Sequence, residues 1–484
     1  MLGTYGSSLQ VKGFLQQKQL YTFDPKAMHH ILVKDGSLYE PFRVKFTHLV
    51  FGKGLLNTLG DHHRRQRKML NPVFSIAHMR ALVPVFYDVV DQLDAAISQR
   101  VKDGPSEIDL LGWMARTALE LIGQSGFGYS FDSMVDDQPK HKYSIYIKNL
   151  GPSMIKLAMP LMYILPLMLK LGIPANIRIF IMNITPWKAL HDVRDMVNYM
   201  YALSVEVYEE KKRALAAGDE AVVNQIGKGK DLLSVLMRDN MKADSKDRLE
   251  ESEIIAQMST FIFAAMETTS SGISRVLHLL ALNPMIQQKL RQEILEARKE
   301  RQGARLNYDD LVALPYLDAI CRETLRLYPP APSIARQTTQ DVIVPLSKPV
   351  IGVDGSEISQ ILLPKATRVT VSTLNANRSS ELWGPDALEW KPDRWLSPLP
   401  ESISNSKISG VYSHLMTFGA GSHACIGFKF SQLEMKVVVA MLVEKFKISL
   451  PHNKEIFWQM TGIVSPVVVG GDGHAQLPLV VEAI

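Results

Sequence analysis

Along most of this chain apolar residues recur every three to four positions, the period of a helix with one buried face. Segments 76–101, 107–126, 188–216, 231–242, 252–282, 284–302 and 308–328 carry that pattern. Their connections are short except for 217–230, whose Gly, Lys and Gln content reads as an exposed loop. Near the start the period changes. Leu9 and Val11, then Leu20, Tyr21, Thr22 and Phe23, read as a β-hairpin. "DPKAMHHILVKDG" then predicts a capped helix, with Asp24 before Pro25 and Gly36 past its end. From about residue 341, "DVIVPL", "ILLPKATRVTVST" and the Asp354-Gly355 turn predict short strands and hairpins. A last helix over about 427–446 leads to "PVVVGGDGHAQLPLVV", which reads as strands with a turn. The expected fold is mainly α with a small β-rich lobe assembled from both ends of the chain. It is one domain over 1–484, with the lobe drawn from about 1–60 and 330–385 and the helical body from about 61–329 and 386–446.

Composition acts mostly by exclusion. Of 484 residues, 46% are hydrophobic and 21% charged, the balance of a globular chain. A net charge of +5 is small for this length and argues against nucleic acid as the main partner, which calls for a concentrated basic face. Cys321 and Cys425 lie far apart with no CxxC neighbour, so neither a disulfide framework nor a zinc finger is expected. The opening residues hold no apolar run of signal-peptide or membrane-spanning length. Segment 154–174, "MIKLAMPLMYILPLMLKLGIP", is strongly apolar, yet Lys156 and Lys170 bracket it and Pro160 and Pro166 break it. Too short and too kinked to span, it reads as a core segment or, preferably, as a loop dipping into a membrane interface.

Four stretches carry candidate chemistry. In "FGAGSHACIG" (418–427) the glycines permit a close approach to the backbone, and Cys425 sits just before a helix start, where free N–H groups favour a thiolate. Such a thiolate suits the axial position of a haem iron, with His423 able to donate to a haem carboxylate. In "CRETLRLYPP", Glu323 and Arg326 share a helix face in apolar surroundings, and Arg394 of "KPDRW" is a further partner for that pair. In "FIFAAMETTSSG", Glu267 and Thr268 interrupt an apolar face. The Thr268 hydroxyl can turn back to the Ala264 carbonyl and bend the helix, leaving space beside an acid and an alcohol fit for proton delivery. In "GDHHRRQRKMLNPVFS", His63 and Arg67 lie one turn apart and can hold a carboxylate, while Arg64, Arg65 and Lys68 offer charge to an acidic protein.

These stretches, in this order, resemble the cytochrome P-450 superfamily of haem-thiolate monooxygenases. Its haem loop F-x-x-G-x-x-x-C-x-G is matched by Phe418, Gly421, Cys425 and Gly427, and its helical E-x-x-R by Glu323 and Arg326. Arg394 resembles the arginine completing a Glu-Arg-Arg cluster, Arg336 a propionate-binding arginine, and "AAMETT" the oxygen-groove motif. His423 stands where many members carry Arg, His63 replaces a common Trp, and Ala265 replaces a Gly. The resemblance implies haem b ligated through Cys425, with Arg67, His63, His423 and Arg336 around its propionates. It further implies proton delivery by Glu267 and Thr268 and insertion of oxygen into a C–H bond. Electrons would come from NADPH through a separate flavoprotein reductase docking on cations 64–68, Lys429 and Lys436. The pattern is most like fungal microsomal members that oxidise terpenoids and other secondary metabolites at the cytosolic face of the endoplasmic reticulum, although the anchor helix of such members is not visible here. Rival readings are a haem-thiolate isomerase, dehydratase or reductase that leaves oxygen alone, and a non-catalytic haem sensor. Retention of the acid–alcohol pair favours the oxygenase.

Overall fold

The computed structural model describes residues 6–484 except 14–15, 43, 138, 140, 219–225, 227–228, 407, 409 and 461. The helices of ten residues or more among them are α1 (Gly60–Leu70), α2 (Ile76–Val101), α3 (Leu110–Leu121), α4 (Lys142–Lys156), α5 (Ala158–Lys170) and α6 (Ala175–Ile184). They continue with α7 (Lys188–Ala217), α8 (Leu232–Lys242), α9 (Glu251–Leu282), α10 (Pro284–Glu300), α11 (Pro315–Leu327) and α12 (Phe428–Lys445). The periodicity thus marks most helices to within a few residues. It overruns at 107–109, where Ser106–Asp109 is a strand, and at 308–328, which Pro315 divides into Tyr308–Ala313 and α11. The expected loop 217–230 lies largely outside the described residues.

Strands β1 (Ser8–Lys12), β2 (Lys18–Thr22) and β3 (Tyr39–Pro41) come from the start of the chain. They join β5 (Ser333–Thr338) and β8 (Arg368–Ser372) in one sheet of order β1-β2-β8-β5-β3. The opening hairpin pairs Leu9 with Tyr21 and Val11 with Gln19. The strand β4 (Ser106–Asp109) pairs with β14 (Pro478–Ala483), and β6 (Val342–Ile351) with β7 (Glu357–Leu363) around the Asp354-Gly355 turn. Short pairs β9 (Gly410–Tyr412) with β10 (Leu415–Ala420) and β12 (Ile456–Met460) with β13 (Val464–Val468) complete the set, while β11 (Phe446–Ser449) lies against β14. After Asp24, which caps its helix by accepting from the Ala27 N–H at 2.9 Å, only Pro25–His29 is α-helical and a wider π turn follows over His30–Lys34.

Two apolar cores result. The larger fills the helical body around α2, α3, α9, α11 and α12; the smaller lies under the five-stranded sheet. β10 sits at their seam, with Leu415 in the larger core and Met416 and Ala420 in the smaller. A strand held on both sides gives the loop after Ala420 a rigid base.

Segment 154–174 corrects the expectation of a loop. It forms the end of α4 and all of α5, with Pro166 inside the helix. A proline removes one donor and kinks a helix, but neighbouring turns can carry it. Ile164, Leu167, Leu171, Ile177, Phe180 and Ile184 of α5, α6 and the link between them are exposed. Among the described residues no single helix is long and apolar enough to cross a membrane.

Candidate active site

The candidate thiol loop is built from its glycines outward. After β10 the backbone turns at Gly421 with φ +71°, and a Cβ there would stand 1.9 Å from the Leu32 carbonyl oxygen. No side chain fits. The Cys425 N–H then donates to the Phe418 carbonyl at 2.8 Å, closing the loop. The Phe418 ring packs on Tyr412 and Phe428. α12 begins at Phe428, with Gly427 at its cap. By area Cys425 is exposed, yet burial raises its thiol pKa, while the Gly427 N–H and Arg67 pull it down. Both observations hold where a sulfur faces an interior space. On α9, likewise, Ala264 is exposed although Phe261, Ile262 and Met266 around it are buried.

The acid–alcohol pair lies about one turn further along α9. The Thr268 hydroxyl donates to the Ala264 carbonyl at 2.6 Å, the back-bond expected from the sequence. Burial raises the Glu267 pKa and Lys148 opposes the rise, so the carboxyl tends to hold its proton at a higher pH than a surface acid.

Basic side chains converge from three elements. Arg67 of α1 donates to the Ala424 carbonyl, and His63, one turn earlier, stacks on His423 with ring centroids 4.0 Å apart. Arg336 of β5 is 8% exposed and, among the described residues, donates only to the Ala335 carbonyl. Burial pushes its pKa down to about 10, and burial with neighbouring positive charge brings His63 to about 4 and His423 to about 3. Among the described residues no carboxylate pairs with Arg67 or Arg336. Two guanidiniums and two imidazoles beside a thiol and an interior space fit a flat cofactor that carries carboxylates and needs one sulfur ligand. Among the described residues no group of three or more His, Cys, Asp or Glu could hold a metal, so an iron here must bring most of its ligands with it.

Glu323 and Arg326 form a separate, fully buried centre, both side chains 0% exposed. Glu323 accepts from Arg326 Nε and Nη2 at 2.8 Å, from the Trp395 indole at 2.9 Å, from the Lys391 N–H at 3.1 Å and from Arg394 Nε at 3.3 Å. Arg326 also donates to the carbonyls of Ala387, Asn377 and Glu389. This shell meets the condition under which a buried pair is tolerable. Sequence reasoning missed Trp395 and Asn377. The Asn377 side chain accepts from the Met416 N–H and donates to the Thr417 hydroxyl, tying the centre to β10 and the thiol loop.

Other site residues stand elsewhere than expected. Lys436 is 1% exposed and paired with Asp318 at 2.7 Å, so it faces no partner protein. Arg65 and Lys68 bind Glu253 and Asp247 of their own chain, and Arg64 binds Asp61. Spacing alone could not show these pairings, because the acids for Arg65 and Lys68 lie nearly two hundred residues away.

A mainly helical fold with a glycine-shaped thiol loop leading into a helix is the architecture of haem-thiolate enzymes. Residues 3–467 match the family described as Cytochrome P-450, and the chain belongs to it. Members of this family are monooxygenases that use haem b with a cysteine thiolate on the iron. The chain is 50% identical to Cytochrome P-450 monooxygenase 91 of Postia placenta over 484 residues, covering 99% of this chain and 88% of that protein. It is 44% identical to a ganoderic acid synthetase of Ganoderma lucidum over 486 residues, with the same 99% and 88% shares. A cytochrome P-450 monooxygenase of Hericium erinaceus is 39% identical over 472 residues, 96% of this chain and 84% of that one.

Proposed function

We propose that this monooxygenase inserts one oxygen atom from O2 into a C–H bond of an apolar small molecule, a terpenoid or another secondary metabolite. Its electrons come from NADPH through a separate flavoprotein reductase. The observation that carries the reading is the Cys425 loop, whose sulfur is exposed by area yet desolvated, with the acid-free guanidiniums of Arg67 and Arg336 around it; the Thr268 back-bond beside Glu267 on α9 supports it.

In this reading Cys425 would supply the sulfur ligand of the haem iron, and Arg67, His63, His423 and Arg336 would hold the haem carboxylates. Gly421 shapes the turn that presents the sulfur, and Phe418 and Gly427 flank it. The bound haem supplies oxygen activation, with the thiolate favouring O–O cleavage. The protein orients, excludes water and moves protons. Glu267, whose burial favours the protonated form, would be the proton source, and Thr268, whose hydroxyl hydrogen is committed to the Ala264 carbonyl, would use its lone pairs to accept a hydrogen bond and so position a water that passes the proton on. Glu323, Arg326 and Arg394 hold the loop's base in place through Asn377. With Lys436 buried and Arg64, Arg65 and Lys68 paired within the chain, Lys429 is the cation of that set offered to an acidic reductase surface.

The apolar-substrate assignment is supported by the apolar sequence segments 145–190 and 257–268, and the Ganoderma lucidum relative is named a ganoderic acid synthetase. The exposed apolar side chains of α5 and α6 support peripheral contact with the endoplasmic reticulum membrane on its cytosolic side. Ferrous protein with carbon monoxide should show the red-shifted Soret band of thiolate ligation, and Cys425→Ser should abolish it. A normal band in that variant overturns the ligand assignment. NADPH- and reductase-dependent oxygenation of a terpenoid is the second expected outcome; substrate rearrangement without oxygen uptake would replace it with an isomerase.

A further inference from the structure

Two buried arginines show what a guanidinium inside this protein ordinarily meets, and the half-buried Arg275 departs from it. Arg116 is 5% exposed and makes a two-pronged pair with Asp132, at 2.6 and 2.9 Å. Arg326 is paired with Glu323 in the same way. Arg67 and Arg336 lack acids and border the thiol's interior space.

Arg275 fits neither group. It lies on α9, two turns beyond Thr268, held between two aromatic rings with its Cζ 3.6 Å from the Trp458 ring centroid and 4.2 Å from that of Tyr328. Among the described residues nothing hydrogen-bonds or ion-pairs with its guanidinium, and Nε is buried without a partner. Arg378, which donates Nε to the Leu327 carbonyl, brings a second guanidinium to the same Tyr328 ring at 5.2 Å. Below them His278 accepts the Trp458 indole N–H at 3.0 Å and is itself buried. The charged or titratable neighbours that act on Arg275 are Arg378 and the Tyr328 phenol, with no carboxylate among them.

Two guanidiniums in one poorly solvated site repel each other. Ring faces offset part of that cost, but a planar guanidinium edge is matched by a carboxylate. We infer that Arg275, backed by Arg378 and walled by Trp458 and Tyr328, is a binding site for a carboxylate brought by a ligand. The carboxylate belongs either to a free small acid or to an apolar acid whose tail lies along the neighbouring β12–β13 hairpin. The site does not depend on the oxygenase reading, because its occupancy is read without turnover.

The experiment uses purified holoenzyme at constant pH and ionic strength, with tryptophan emission and thermal midpoint followed during titration. Acetate should change Trp emission saturably and raise the midpoint with the logarithm of its concentration. Arg275→Gln should weaken both responses at least tenfold, and Arg275→Lys less. Trp458→Phe should lose much of the optical response and keep the thermal one. Should Arg275→Gln fail to fold, Arg378→Gln serves, with weaker acetate binding expected. Dodecanoate with dodecanol as neutral control separates the sources: much tighter binding of dodecanoate alone assigns the carboxylate to an apolar acid, and equal binding of acetate assigns a free one. A linear response in the native protein, or an equal response in Arg275→Gln and Arg378→Gln, overturns the site.

Discussion

Gly421 and Gly427 separate two reasons for a glycine in one loop. At Gly421 the φ of +71° and the 1.9 Å approach to the Leu32 carbonyl oppose any side chain. Strained backbone of this kind costs about 1–3 kcal/mol before the clash is counted. At Gly427 φ is −87°, and a Cβ would touch only Phe74 at 3.8 Å. Gly421→Ala should therefore lower the thermal midpoint of haem-free protein, whereas Gly427→Ala should leave that midpoint within about a degree for a change this small. If Gly427 makes room for haem, Gly427→Ala should still reduce haem incorporation, measured as the ratio of Soret to protein absorbance. Equal incorporation in both proteins would remove that role.

At the scale of elements, α9 is tied to α1 by one acid. Glu253, 1% exposed, accepts from the Glu250 N–H at 2.8 Å, completing a capping box, and from the Gln66 amide at 2.8 Å. It also meets His62 and Arg65. Burial would raise its pKa, but these donors outweigh it and hold the carboxyl down to about 2. A depressed folded pKa means that the unfolded chain binds the proton more readily. The resulting stability is present above the ordinary value of 4.5 and is lost as pH falls toward about 2. Glu253→Gln should lower the thermal midpoint at pH 7, and the gap to the native protein should close as pH drops from 4.5. A gap independent of pH would show that shape, not charge, holds the two helices. The apolar side chains of α5 and α6 form the other element with a measurable consequence. Replacing Leu167, Leu171 and Phe180 together by Ser should reduce co-flotation of the purified protein with phospholipid vesicles while leaving its haem spectrum unchanged. Undiminished flotation would move the membrane contact elsewhere.

Across the whole molecule the Glu323 centre joins what the chain separates: α11, the 377–395 segment and, through Asn377, the strand under the thiol loop. Removing one partner of a buried pair leaves the other uncompensated, at a cost of about 3–5 kcal/mol. Glu323→Gln should thus yield little folded holoprotein, with haem content falling together with soluble yield. A stable Glu323→Gln protein with normal haem content would reduce the centre to a local ornament of α11.

What the chain determines by itself is what lies within a few residues. The helical period of α2, α7 and α9, the hairpin of β1 and β2, the Asp24 cap and the Thr268 bond to Ala264 all arise between near neighbours, so pattern and side-chain chemistry are enough to read them. The candidate ligand Cys425 was legible because its glycines and the following helix stand in one stretch of ten residues. Tertiary structure decided everything that depends on distant partners. Lys436 looks like a surface cation and is buried against Asp318, and Arg65 answers an acid on α9. Segment 154–174 became helix because helical hydrogen bonds on either side tolerate its prolines, a balance no local rule settles. The stack of His63 on His423, and the meeting of Arg275 with Arg378 without an acid, exist only once the helices and β-lobe are packed. A charge's partner is chosen by topology, and topology is a property of the whole chain.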